Sequence, residues 1–156
     1  MNSRANKIDA LQIGAIACVI IHVLLNIAHG AAHGRLGISL SDAQTIFVAV
    51  VVLAAPLVAA FLLWMRKPRT GAVLLVISMA GAFLFGFYFH FALPGPDNVA
   101  QPAISGMRHW QKLFVSTAFG LATMEALGAL LGLIILIRTF APGKDAGPSN
   151  ISGKLS

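Results

Sequence analysis

His22, Asn26, His29 and His33 follow one another at steps of four, three and four residues. On a helix advancing about 100° per residue, such a series stays within a stripe roughly 40° wide. Imidazole is a ligand for zinc, copper and iron, and the rings of an i, i+4 pair such as His29 and His33 can converge on one ion. His90 ends the aromatic run Phe87-Tyr88-Phe89, and His109 stands between Arg108 and Trp110. These five histidines, His22, His29, His33, His90 and His109, are the candidate metal ligands. Asp97 follows Pro94-Gly95-Pro96 and reads either as a carboxylate ligand or as a turn residue. No fixed-spacing metal motif such as HExxH is present.

Haem b is the sharper form of the same idea. His29 and His90 would flank the iron, and Arg35 and Arg108 would hold the propionates. Two points weigh against it: His22 has no histidine at its own depth on another helix, and a haem at the bundle mouth would stand half exposed. A bare zinc, copper or iron ion is the simpler expectation.

Glu125 is the other costly residue, since a carboxyl within an apolar run should be protonated or paired. With Asn26 it reads either as part of a proton relay below the histidines or as a polar contact between helices. Gly128 and Gly132 form a GxxxG near the Glu125 face, which should pack against a helix of this chain or of a second copy.

The elements that must position these residues follow from composition. The 156 residues are 58% hydrophobic and 10% charged, against roughly 25% charged in a soluble domain. The lipid bilayer is therefore the expected solvent. Four apolar stretches, at about 10–30, 43–65, 71–91 and 113–137, each reach the roughly 20 residues that cross a bilayer as a helix. Short connections imply antiparallel neighbours. The expected fold is all-α, a four-transmembrane-helix antiparallel bundle in a single domain over 1–140, with a disordered cytoplasmic tail over 141–156. Gly34 is a candidate end for the first helix, and Pro56 should free the Val52 carbonyl and kink the second.

Lys and Arg set the expected orientation. Arg4, Lys7, Arg66, Lys67, Arg69, Arg138, Lys144 and Lys154 fall on one side, against Arg35, Arg108 and Lys112 on the other. That bias places both termini in the cytoplasm and the histidines at the extracytoplasmic end, and it suits a bacterial inner membrane. The net charge of +6 sits at the ends of apolar runs rather than on a polar face, which excludes nucleic acid as the partner. The basic start and the small residues Ala28, Gly30 and Ala32 also suit a cleaved leader. However, the apolar stretch outruns the usual ~7–15 residues of one, and a disposable segment has no reason to carry His22 and Asn26. Cys18, the single cysteine, reads as a small core residue.

The leading functional expectation is a small membrane protein with a metal or haem site at its outer face, serving as an electron-transfer, metal-handling or accessory subunit. The alternatives are a proton-coupled transporter or channel subunit using His22 and Glu125, and a structural or assembly protein. Nothing in the sequence pairs a nucleophile with a base, so an enzyme is not the expectation.

Overall fold

A computed structural model describes residues 9–101 and 106–140. The tail at 141–156 and the basic residues Arg4 and Lys7 lie outside them. Among the described residues the chain is helical throughout, without strands. Four helices are long and apolar enough to cross a membrane: α1 (Ala10–Leu36), α2 (Asp42–Trp64), α3 (Pro68–Ala92) and α4 (Arg108–Phe140).

Each boundary has a local cause. Asp9 caps α1 in a capping box with Gln12, and Ser41 does the same for α2 with Gln44, each pair satisfying amides the first turn leaves open. The first helix does not stop at Gly34. A glycine inside a helix costs only about 1 kcal/mol, and α1 continues to Gly37, whose φ of +69° makes the left-handed cap and whose N–H bonds to the His33 carbonyl. His33 is therefore helical, on the same face as His29. Helix α4 likewise begins earlier than its apolar run, since Arg108, Gln111 and Lys112 extend it beyond the hydrophobic stretch.

Two helices widen into π-turns. In α2, residues Val48–Ala54 form one that ends two residues before Pro56. Proline supplies no amide to the regular ladder, and the chain adopts i→i+5 bonds such as Ala55 N–H to the Val50 carbonyl. In α3, Tyr88–Ala92 form the second and carry His90. Such turns recur at functional sites.

Contacts along the helices fix their directions. Cys18 donates to the Met124 carbonyl and His29 meets Thr117, so α1 and α4 run antiparallel. Gly71 abuts Leu63 and Gly81 abuts Val51, which sets α3 antiparallel to α2. Gly128 faces Met79 and Gly132 faces Ala72 and Val76, so α4 is antiparallel to α3. The GxxxG face thus packs inside the chain, where a Cβ on Gly132 would stand 3.2 Å from the Ala72 carbonyl oxygen. Around these contacts Ala15, Val19, Leu63, Leu75 and Met79 form the apolar core in the half of the bundle away from the histidines. In the other half, the π-turn stretch of α2 leans on α3 and hardly touches α1, leaving space inside the bundle.

Candidate metal centre

His29 and His33 come from successive turns of α1, and His90 comes from the π-turn of α3. Each offers one ring nitrogen, and the three nitrogens lie within 4.8 Å of one another. Ring centroids are 4.7 Å apart for His29 and His33, 4.8 Å for His29 and His90, and 5.9 Å for His33 and His90. All three pack on Phe114 of α4: His29 stacks on it at 5.0 Å, while His33 and His90 meet it edge-on. Phe114 is fully buried, so a rigid apolar wall holds the imidazoles together.

The hydrogen bonds behind the rings decide which nitrogens face inward. The Thr117 hydroxyl lies 2.6 Å from the Leu113 carbonyl oxygen, to which it donates, and 2.8 Å from His29 Nδ1. A hydroxyl with its one proton committed can only accept from the ring. The His29 proton is thereby set on Nδ1, leaving the Nε2 lone pair facing the cluster, where His33 Nε2 lies 3.1 Å away and donates to it. His90 is held in the same way, with Nδ1–H donating to the Asp97 carbonyl at 3.0 Å. Metal-binding histidines almost always carry such an acceptor on the far nitrogen, because it fixes ring orientation and raises basicity.

Asp97 reaches the site on the connection after α3. That connection is pinned by Val99 N–H on the His90 carbonyl and by the Asn98 amide on the Leu93 carbonyl. Asp97 Oδ1 stands 3.1 Å from both His33 Nε2 and His90 Nδ1, yet it is buried and no N–H is aligned on it. Burial of this carboxyl works against its charge, but the two imidazoles beside it outweigh that and hold it well below the ordinary carboxylate range. The site therefore offers three imidazoles and one carboxylate anion, a donor set suited to a divalent transition metal. The rings touch one another edge to face, so no slot remains between His29 and His90 for a macrocycle. Arg35, a candidate partner for haem propionates, lies over the Trp110 ring at 5.3 Å.

The other sequence candidates fall elsewhere. His22 is fully buried and its Nε2 lies 3.3 Å from Glu125 Oε1 across the α1–α4 contact. Asn26 joins them, its amide 3.1 Å from His22 Nε2 and 3.0 Å from the His22 carbonyl. These three make a second polar group, about 10 Å down α1 from His29 at 1.5 Å per residue. His109 is exposed, edge-on to Trp110, and takes no part in either group. Phe114 and Thr117 were not singled out by the sequence reading. The signal was present, since stepping back from Glu125 along its helical stripe gives Leu121, then Thr117 and Ala118, then Phe114, all buried.

A cavity of about 230 Å³ connects the two polar groups, touching His29, His33, His90 and Asp97 as well as Asn26 and Glu125.

No family model, no curated protein and no solved structure matches this chain. The functional reading rests on the site itself.

Proposed function

We propose that this is a small integral membrane protein that binds one divalent transition metal, of the zinc, copper or iron class, through His29, His33 and His90, with Asp97 as the fourth donor. The observation that carries this reading is the convergence of three imidazole nitrogens within 4.8 Å from two different helices. Three buried or nearly buried imidazoles touching one another cost desolvation, and only their neighbours or an ion can offset it. The donor arrangement supports the reading further. Thr117 and the Asp97 carbonyl occupy the far nitrogens of His29 and His90, and the ionised Asp97 supplies an anion at the mouth.

In this reading the metal lies at the extracytoplasmic end of the bundle, in a bacterial inner membrane, with both termini in the cytoplasm. The excess of Lys and Arg on the opposite side supports that orientation. The protein then serves as a metal-handling subunit, taking up an ion at the outer surface and holding it at the membrane boundary.

The test is a competition titration of zinc into the metal-free protein in detergent. One equivalent should bind, with His29→Ala or His90→Ala each weakening it by more than about a hundredfold. His109→Ala should bind as the parent does. Equal binding by all three variants would overturn the assignment.

A further inference from the structure

The cavity beside the histidine cluster has a composition of its own. Its wall is apolar, built by Val48 and Val52 of α2, Ala82 and Phe85 of α3, and Leu121 of α4. Its polar groups are confined to two ends, the histidines with Asp97 at one and Asn26 with Glu125 at the other. From Asn26 to His29 the rise along α1 is about 4.5 Å, and across the cavity Glu125 Oε2 and His90 Cδ2 lie 3.7 and 3.8 Å from one point, the place a Gly86 Cβ would occupy, so a single small molecule reaches both polar groups. The volume of about 230 Å³ exceeds the roughly 150 Å³ that holds a benzene molecule in an apolar protein cavity. One ring with substituents therefore fits.

The cavity also has a way in from the side. Gly30 lines it and is exposed on α1, with no atom within 4 Å of the place a Cβ would occupy. The facing stretch of α2 is the π-turn that leans away toward α3. In a bundle that crosses a membrane, this gap faces the acyl chains.

We propose that the cavity binds a lipid-soluble, single-ring molecule with an oxygen or nitrogen donor at each end, entering beside Gly30. One donor sits on the metal held by His29, His33 and His90, and the other hydrogen-bonds to Asn26 or Glu125. This inference rests on the metal-site reading and names the class of ligand that the site takes. Hydroquinone is the simplest molecule of this description.

The test uses the full chain in detergent, loaded with cobalt(II), whose visible absorption bands report changes in coordination. Hydroquinone and phenol should shift the bands saturably, and benzene should leave them unmoved. Glu125→Gln should weaken hydroquinone by about two- to tenfold, the range of one hydrogen bond, and leave phenol unchanged. Gly30→Phe, which places a ring in open space at the cavity rim, should abolish the response while cobalt uptake stays at one equivalent, and Ala122→Leu provides a second block from α4. Full cobalt uptake with bands that hydroquinone does not move, or that it moves equally in both blocked variants, would overturn the ligand site and leave the metal site standing. Failure of the parent protein to take up cobalt would overturn both.

Discussion

At the scale of single residues, hydrogen bonds on the far ring nitrogens hold the protons of His29 and His90 in place and leave the other nitrogens turned toward the cluster. Thr117 commits its hydroxyl proton to Leu113 and so accepts from His29. Thr117→Val keeps the volume and removes the acceptor, which leaves the His29 Nδ1–H buried and unpaired. Zinc affinity should fall by about 10- to 100-fold, and Thr117→Ser should restore it. A zinc titration of the two variants distinguishes this from a packing effect, because packing would favour Val over Ser. Asp97 makes a separate prediction. The bond to His90 comes from its backbone carbonyl, so Asp97→Asn keeps the connection anchored and removes only the anion. Zinc affinity should drop, and the metal-free protein should also lose thermal stability at neutral pH, because the carboxyl that the two imidazoles hold below its ordinary range contributes to the fold while ionised. His22 Nε2 meets Glu125 and Asn26 within the bundle. Glu125→Leu leaves His22 Nε2 with Asn26 alone and should cost about 1–2 kcal/mol in reversible unfolding from mixed micelles. Glu125→Gln, which still accepts a hydrogen bond, should cost less.

At the scale of elements, close approach of helices depends on glycines that are not equivalent. A Cβ on Gly128 would meet the flexible end of Met79, whereas one on Gly132 would meet Val76 and the Ala72 backbone. A thioether can swing aside and a backbone cannot. Gly132→Ala should therefore destabilise the α3–α4 packing by about 1–3 kcal/mol and Gly128→Ala by clearly less, measured in the same unfolding assay. The existence of the four helices was legible in the sequence because lipid leaves a chain few other ways to satisfy its backbone. Their ends were less legible, and the errors propagated. With α1 reaching Leu36 and α4 beginning at Arg108, His22 lies about 21 Å and Glu125 about 25 Å from the same end of the bundle. Those comparable depths are what let the two residues pair. Hydropathy alone ended both helices at the edge of the apolar run and hid the match. The π-turn that brings His90 inward was also hidden, since nothing in Tyr88–Ala92 marks a change of helical pitch. Thr117 was missed because one threonine in an apolar helix usually bonds to its own backbone, as this one also does.

At the scale of the whole molecule, the bundle divides into two halves. One is a close-packed apolar core with glycine contacts, and the other is opened by two π-turns and lined by His29, His33, His90 and Asp97, with the His22–Glu125 pair at the boundary. The proposed orientation puts the open half outward. Ser39→Cys, beside the histidine end, should react with a membrane-impermeant maleimide in intact cells. Thr70→Cys, at the opposite end, should react only after lysis, and the reverse pattern would invert the topology. Spacing on α1 points to His29 and His33, but His90 joins them through its π-turn and Asp97 through the return of the connection after α3, which no linear spacing encodes. The most direct measurement on the central claim is the metal content of the protein, purified in detergent without chelator or histidine tag and read by elemental mass spectrometry. The account predicts close to one equivalent of zinc, copper or iron, lost in His29→Ala and retained in His109→Ala. Metal-free protein that stays so after incubation with each ion, or metal that persists in His29→Ala, would contradict it.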